Sequence, residues 1–372
     1  MVSQFGRKLL VASVLSAITG VANAAAPTLG EVLKSSGIDV TGYIDAAFTY
    51  RDTSGTANAS TFRAYDQERS SFILHALDVT VSSLPSSGFG GLAEITFGND
   101  ADFNGATGSD KSDKVDPLQA FLQYSSGSFA VLAGKFTTLA GAEVAQQPAN
   151  TNYSRSLLYT NAIPVTHVGV RGVFTMSDAF KFTAGINNGW DAMTTSVKSN
   201  GADGKTIELG FSATPSKMFS LAASAYIGEE AGTGTDAGER QLIDIVGTVN
   251  LSDAMSLVLN VDVGKQDNDA AGTEAKWNGV AGYFNYKFSD TWRISVRGEQ
   301  FNDKNCFKLS CSGSFSDLKV KEGTVTVGYV PAKNAELRFE VRQDKADRDA
   351  FMEGGVATDK QMSVAVEGLY KF

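Results

Sequence analysis

Long apolar runs, histidines and cysteines are all scarce in this sequence. Beyond the N-terminus no run of 18 apolar residues occurs, which excludes a transmembrane helix. A phosphate-binding loop, a CxxCH motif and a pair of histidines at metal-binding spacing are all missing. We therefore expect no enzyme, no cofactor and no metal centre.

Acidic residues outnumber basic ones, 41 against 32, and the net charge is −9. This balance argues against nucleic acid as a partner. The mean hydropathy of −0.09 is typical of a soluble protein. A β-barrel with a wet interior gives a similar value, because only every second strand residue faces lipid.

The N-terminal segment has the layout of an export signal. Arg7 and Lys8 precede the apolar stretch Leu9–Val21, and Ala22-Asn23-Ala24 supplies a cleavage site of small residues. We therefore expect residues 1–24 to be removed as a signal peptide.

A short helix is predicted directly after this signal. Thr28 and Glu31 have the spacing of a capping box, and Gly37 is a stop signal. Residues 25–38 are therefore expected to form a short periplasmic helix that precedes the main domain.

The last twelve residues, 361–372, alternate strictly between two faces. One parity holds Met362, Val364, Val366, Tyr370 and Phe372, and the other holds Gln361, Ser363, Glu367 and Lys371. A strand sends successive side chains to opposite faces, and a barrel strand crosses a bilayer with roughly 9–11 residues. A final aromatic residue after such a strand resembles the C-terminal signal that outer-membrane insertion machinery reads. The alternative is the last strand of a soluble sandwich.

The same alternation recurs along the chain and predicts sixteen strands. They are 39–51, 68–83, 88–98, 116–125, 129–136, 165–176, 180–189, 205–214, 218–229, 239–251, 255–266, 276–288, 291–301, 320–330, 335–344 and 360–372. Every second connection is tight, and three of them are near copies of a Ser-Asp turn. Short turns at one rim and long loops at the other are typical of outer-membrane barrels. We therefore predict an all-β, closed antiparallel transmembrane barrel over residues 39–372.

The third long connection, residues 137–164, is the longest. A loop of this length within a compact domain is usually functional. We interpret it as a constriction loop that folds into the barrel and carries Glu143 and Arg155 into the pore. The alternative is an extracellular flap.

Strand parity places charged side chains on the inner face, because a charge on the lipid face at mid-depth costs about 2–4 kcal/mol for Arg or Lys. The residues predicted to line the pore near mid-height are Asp45, Glu94, Lys135, Arg171, Glu208, Asp244, Asp262, Arg297 and Arg342. Rings of charge set selectivity in pores, and here the two signs nearly cancel. The alternative for several of them is pairing across strands.

Both histidines have a non-catalytic interpretation. His75 shares strand parity with Leu77 and Val79, so it is predicted to face outward near the upper rim. A Ser-His-carboxylate hydrolase would need such a histidine beside a serine at the bilayer boundary. His167 lies at a strand start and is predicted to line the pore.

Aromatic residues near strand ends are expected at the two membrane interfaces. They are Tyr43, Tyr50, Tyr124, Trp190, Trp277, Trp292 and Phe372.

Two loop motifs allow a second interpretation. Cys306 and Cys311 are predicted to form one disulfide that pins a loop, with a redox or metal role as the alternative. Residues 100–105 match the first half of a calcium loop, but Lys111 stands where that pattern needs Glu. A solvated acidic loop is the other interpretation of this segment.

The central block of the chain resembles the OmpL-like β-barrel porin family of bacterial outer membranes. The residues that carry the resemblance are Gly134-Lys135-Phe136, Gly141-Ala142-Glu143, Asn152-Tyr153-Ser154-Arg155-Ser156, Pro164, His167-Val168-Gly169-Val170-Arg171 and Asn187-Asn188-Gly189-Trp190-Asp191. The resemblance implies an outer-membrane channel and no particular solute.

Together these features predict an outer-membrane porin through which small hydrophilic solutes and ions diffuse. The alternatives are a substrate-selective channel and a sealed barrel that serves as an adhesin or envelope scaffold. Expected partners are outer-membrane lipid and lipopolysaccharide, and the insertion machinery through Phe372. A homo-oligomer is also possible on this interpretation.

Overall fold

The computed structural model describes residues 29–53, 61–105, 113–195, 204–231, 237–268, 272–309 and 316–372. Its strands are β1 (Asp39–Arg51), β2 (Ser70–Ser83), β3 (Gly88–Phe97), β4 (Val115–Ser126), β5 (Phe129–Thr137), β6 (Thr166–Ser177), β7 (Phe180–Asn187), β8 (Thr206–Ser216), β9 (Phe219–Ala231), β10 (Ala237–Ser252), β11 (Met255–Asn268), β12 (Thr273–Lys287), β13 (Trp292–Lys304), β14 (Asp317–Ala332), β15 (Ala335–Ala346), β16 (Phe351–Glu353), β17 (Val356–Thr358) and β18 (Lys360–Lys371).

Sixteen of these strands form one closed antiparallel barrel, and β16 and β17 form a separate small hairpin. Each barrel strand pairs with its neighbours in the chain, and β18 pairs with β1 from Tyr43↔Lys371 to Arg51↔Ser363. Closure leaves no bare strand edge, and each unpaired backbone group would cost several kcal/mol in lipid. The predicted sixteen-stranded barrel is confirmed, with every strand end within three residues of its predicted place.

The alternation within each strand explains why these segments pair as they do. In β18 the apolar side chains Met362, Val364 and Val366 are exposed, whereas Gln361 and Glu367 are buried. The outer face is therefore apolar and the inner face polar, as lipid and a polar interior require.

The predicted Ser-Asp turns have the expected local geometry. The Oγ atoms of Ser177 and Ser252 accept the amide N–H two residues on, at 3.3 and 3.2 Å. Such side-chain bonds replace the backbone partner that a tight turn lacks and fix the register of the hairpin.

The helices are α1 (Leu29–Ser35), α2 (Asp100–Asn104), one 3₁₀ turn (Gln147–Ala149) and one π-helical turn (Leu158–Ala162). None of the described helices is long and apolar enough to cross a membrane. The segment proposed as a signal peptide, residues 1–24, lies outside the described residues.

One irregularity reverses a predicted face. The pairing of β1 with β2 shifts register between Asp45 and Ala46, so that Asp45 opposes Ala76 and Ala46 opposes Leu74. His75 lies at this β-bulge and is buried rather than outward-facing, so the prediction for its side chain was wrong. A bulge inserts one extra residue and thereby reverses the alternation beyond it.

The hydrophobic core lies inside the barrel. The third loop contributes Leu157, Leu158 and Tyr159, which pack against Trp277 and Phe301 of the wall. Three of the aromatic residues expected at the membrane interfaces, Tyr43, Trp190 and Trp277, are buried instead. The other four, Tyr50, Tyr124, Trp292 and Phe372, are exposed as predicted.

Candidate functional site: the third loop and the charged inner wall

The third loop joins β5 to β6 and contacts two separate parts of the inner wall. The part of the loop around Leu139 and Ala142, its first limb, contacts β8 to β11. The Leu139 amide donates to the Tyr226 hydroxyl at 2.9 Å, and the Ala142 amide donates to Asn260 Oδ1 at 3.1 Å. A β-carbon on Gly210 would lie 2.6 Å from the end of the Leu139 side chain, so a larger residue there would displace the leucine.

The second limb is held by two carboxylates on β13 and β15. Glu340 accepts the amides of Tyr153 and Ser154 at 2.7 and 3.0 Å. Glu299 accepts the amides of Leu157 and Leu158 at 2.7 and 3.2 Å. Each carboxyl group accepts two consecutive amides, so these two glutamates fix the path of the loop.

Arginines of the wall bind the carbonyls of the same limb. Arg297 donates to Ser154 O at 2.7 Å and pairs with Glu143 of the loop at 2.7 Å. Arg342 donates to Arg155 O at 2.6 Å. Because both residues are also paired with wall carboxylates, the loop and the wall form one continuous ionic network.

Arg155 lies at the centre of this network. Its guanidinium donates to the carbonyls of Val144 and Ala145 at 3.1 and 2.8 Å. The same group lies 4.8 Å from the ring centre of Tyr65 and 5.7 Å from that of Tyr159. Burial raises the pKa of Tyr159 to about 12, so this phenol remains neutral.

The first extracellular loop adds a second ion-pair cluster. Arg63 pairs with Asp66 at 2.6 Å and with Asp344 of β15 at 2.5 Å. Burial alone would raise the pKa of Asp66, but the charges of Arg63 and Arg342 hold it below its usual range.

All eleven residues predicted to line the pore are buried, and none is more than 7% exposed. The structure brings four of them, Glu143, Arg155, Arg297 and Arg342, into the loop network. Five others are Asp45, Glu94, Lys135, Arg171 and Glu208. For all eleven, the assignment as pore-lining residues stays a prediction.

Local pairing accounts for several of these residues. Arg171 binds Glu208 at 2.6 Å and Lys135 binds Asp116 at 2.7 Å. Glu94 accepts hydrogen bonds from Gln119 at 2.6 Å and from Gln146 of the loop at 2.9 Å. Asp244 and Asp262 lie under the first limb of the loop, with no basic partner within 4.0 Å in the described chain.

Four residues that make strong contacts in the network were not among those predicted to line the pore. Glu299, Glu322, Arg338 and Glu340 share the inward parity of Arg297 and Arg342, which is the signal that could have found them. The mid-height criterion left them out of the predicted belt. Their partners are loop atoms, and the strand pattern does not give the positions of those atoms.

His75 joins the second and third loops to the wall. Its Nδ1 lies 2.7 Å from Asp100 Oδ1 of α2, and its Nε2 lies 2.9 Å from the Tyr153 hydroxyl. Asp45 lies nearby, and one ligand atom from each of Asp45, His75 and Asp100 falls within 4.8 Å of the others. A 2.7 Å contact is that of a hydrogen-bonded ion pair, because ligands of one zinc ion, bound at about 2.0–2.1 Å in a tetrahedron, stand further apart.

The structure also describes the 100–105 segment, His167 and one of the two cysteines. The 100–105 segment contains α2 instead of a calcium loop, and the carboxylates of Asp100 and Asp102 bind His75 and Lys114. His167 is buried and its ring stacks on Tyr226 at 4.9 Å. Cys311 lies outside the described residues, so its disulfide with Cys306 stays a prediction.

Cavities lie on both sides of the third loop. The extracellular cavity has about 330 Å³ and is lined by Thr160 and Asn161 of the loop and by Trp190 and Lys308. The cavity near the short turns has about 280 Å³ and is lined by Thr151 of the loop and Arg293. The loop therefore lies between two cavities of the barrel, of which the extracellular one is the more polar.

A lysine borders the extracellular cavity in an unusual setting. The Lys308 amine lies 4.3 Å from the ring centre of Trp190 and 4.6 Å from that of Trp277. Burial, with a further contribution from Arg240, lowers the pKa of Lys308 to about 7.

A closed barrel with an apolar outside, a charged inside and a long loop among the inner-wall side chains defines the protein class of outer-membrane porins. The sequence profile described as "Putative beta-barrel porin-2, OmpL-like" matches residues 37–372. The chain belongs to this family, and the protein is an outer-membrane porin, as the sequence predicted.

Solved outer-membrane proteins have the same fold. An anion-selective porin from Comamonas acidovorans superposes with a TM-score of 0.65 at 14% identity, covering 90% of this chain and 99% of the porin. The trimer form of OmpT from Vibrio cholerae gives 0.64 at 13%, covering 90% and 99%. The channel DcaP of Acinetobacter baumannii gives 0.62 at 14%, covering 90% and 97%. No curated protein sequence matches the chain.

Proposed function

We propose that this porin lets small hydrophilic solutes and ions diffuse across the outer membrane, with the third loop as its constriction. One observation carries the proposal: Glu340 and Glu299 hold the loop amides at the inner wall, between two cavities of the barrel. A loop in this position narrows the path that connects the cavities, so it sets the size of a passing solute.

The mixed charges at this level support weak ion preference. Arg297 and Arg342 stand beside Glu143 and Glu322, so the local field has no single dominant sign. Opposed charges across a narrow section orient dipolar solutes, and they attract neither ion class strongly. The residues predicted to line the pore act as such a mixed belt on this proposal.

Planar-bilayer recordings of the purified barrel test the proposal. We expect discrete conductance steps and a small reversal potential in a salt gradient. A large reversal potential of either sign would contradict the unselective channel and show that the pore is ion-selective.

The burial of the eleven belt residues favours one second candidate, a sealed barrel that serves as an adhesin or envelope scaffold. The same recordings separate the two functions. A folded barrel that inserts into the bilayer and gives no steps over long recordings would favour the scaffold.

We further infer that residues 1–24 are cleaved on export and that copies of the barrel associate. The small-residue sequence before position 25 supports cleavage, and the trimer form of OmpT is a precedent for association. Intact-mass measurement of the outer-membrane protein and cross-linking in native membranes test these two points. A mass that includes residues 1–24, or only monomer after cross-linking, would contradict the respective inference.

A further inference from the structure

Three neighbouring strands place unpartnered oxygens side by side beneath the third loop. Ser224 of β9 directly opposes Asp244 of β10, and Asp244 directly opposes Asp262 of β11. Residues directly opposite on adjacent strands have Cβ atoms about 4.5–5.5 Å apart, so the three side chains form one row.

The row is buried and short of hydrogen-bond donors. Asp244 and Asp262 are 0% exposed and Ser224 is 3% exposed. Asn260 donates to Asp244 Oδ2 at 2.6 Å. Within the described chain, no donor reaches either carboxylate oxygen of Asp262 with hydrogen-bond geometry, and Asp244 Oδ1 and the Ser224 hydroxyl are also unsatisfied by that geometry, although Ser224 and the Gly141 amide lie beside Asp244.

The third loop covers this row from both ends. In register, Gly210 of β8 flanks Ser224, and Gly279 of β12 flanks Asp262. A β-carbon on either glycine would lie 2.6 Å from a loop leucine, Leu139 over Gly210 and Leu158 over Gly279. The two carboxylates therefore lie beneath the loop, away from the bulk solvent that surrounds surface acids.

Several other buried carboxylates of the wall are compensated by a paired cation. Glu208 has Arg171, Glu322 has Arg297, and Asp344 has Arg342 as a paired cation. The charges that act most on Asp262 in the described chain are the like charges of Asp244 and Glu299 and the opposite charge of Lys308, which makes no ion pair with it. Two adjacent buried carboxylates without a paired cation are costly unless something neutralises them.

We propose that Ser224, Asp244 and Asp262 hold a divalent hard cation of the Ca²⁺ class between the third loop and the wall. Such cations bind carboxylate, hydroxyl and amide oxygens, and two carboxylates balance the charge of one divalent ion. The ion fastens the first limb of the loop indirectly, because Asn260 contacts both Asp244 and the Ala142 amide. The inference does not depend on whether the barrel conducts.

Retention of Ca²⁺ tests the site, with the barrel refolded in detergent in the presence of ⁴⁵Ca²⁺ and then dialysed. We expect the wild-type barrel to retain a single Ca²⁺ and the isosteric variant Asp262→Asn to lose it. Asp253→Asn, an exposed carboxylate of a short turn, is the matched control and should retain the ion. Heat-modifiable migration establishes that each variant is folded. Equal retention by Asp262→Asn, or no retention by the wild type, would overturn the proposal.

Terbium luminescence provides a second measurement that needs no variant. Trp277 on β12 directly opposes Gly264, which lies two residues beyond Asp262 on the same face of β11. Tb³⁺ at the site should therefore emit on tryptophan excitation, and Ca²⁺ should quench the signal by competition. Absence of sensitised emission, together with a protonated-carboxyl infrared band that Asp262→Asn removes, would show that the two aspartates share a proton and bind no metal.

Discussion

Phe372 closes the barrel on Gly42. The Phe372 amide donates to Gly42 O at 3.0 Å, and the Gly42 amide donates to Phe372 O at 3.0 Å. A β-carbon on Gly42 would lie 2.6 Å from the Phe372 ring, so the glycine makes room for the last side chain of the chain. The residue at the C-terminus is thus part of the seam between the first and last strands.

Changing this residue should impair assembly. We expect Phe372→Asp to reduce the heat-modifiable barrel in outer-membrane fractions strongly, because it places a charge where an aromatic ring faces the membrane boundary. We also propose that the insertion machinery reads this residue. Phe372→Tyr is the matched control and should assemble normally. An unchanged yield for Phe372→Asp would refute the proposed signal.

Glu340 should hold the second limb of the loop. In Glu340→Gln the carboxylate that accepts the amides of Tyr153 and Ser154 is lost, and an unsatisfied buried donor costs about 1–3 kcal/mol. We expect faster hydrogen exchange at residues 150–158, while the barrel strands remain protected. Glu353→Gln, in the small hairpin, should leave exchange unchanged. Equal protection in both variants would mean that Glu340 does not fasten the loop.

The extracellular mouth should change its charge near neutral pH. Because burial lowers the pKa of Lys308 from 10.5 to about 7, its ammonium loses its proton as pH rises through that value. The unfolded chain binds more protons than the folded one between these two values, so loop stability should increase with pH across that window. In recordings, cation preference should rise between pH 6 and pH 8.

Two substitutions at this position check the assignment. Lys308→Met should abolish the pH-dependent step, and Lys308→Arg should keep a positive charge at both pH values. If the step persists in Lys308→Met, a different group titrates.

Neutralising two arginines should alter selectivity and stability together. Replacing Arg297 and Arg342 with neutral residues leaves Glu143 and Glu322 without their cations, and Asp344 with Arg63 alone. We expect greater cation selectivity by reversal potential and a lower unfolding temperature, because breaking one buried pair costs about 3–5 kcal/mol.

Removing two carboxylates, on β1 and β3, provides the opposite change. Neutral residues at Asp45 and Glu94 should lower cation selectivity. A reversal potential that is unchanged in both double variants would show that these buried charges do not face the permeation path.

The barrel was predictable because its main signal is local. A period of two residues marks each strand, and the turn sequences mark where it ends, so strand bounds follow from neighbouring residues alone. The same rule fails at His75, because a β-bulge reverses the alternation and depends on how β1 pairs with β2.

The site was predictable only in part, since its contacts join residues far apart in the sequence. Inward parity identified Arg297 and Arg342, but it could not show that their partners include Ser154 and Arg155 of the third loop. Trp277 was predicted to lie at a membrane interface but is buried. Gly264 on the neighbouring strand leaves a space that the indole ring fills.

Single-channel conductance after deletion of residues 141–155 tests the central claim most directly. This block contains Glu143 and Arg155 and most of the segment that Glu340, Arg297 and Arg342 hold. The account predicts that the shortened barrel still folds, as heat-modifiable migration would show, and conducts more than the wild type because its constriction has been removed. An unchanged conductance in a folded, inserted barrel would contradict the account, since the third loop would then not narrow the pore.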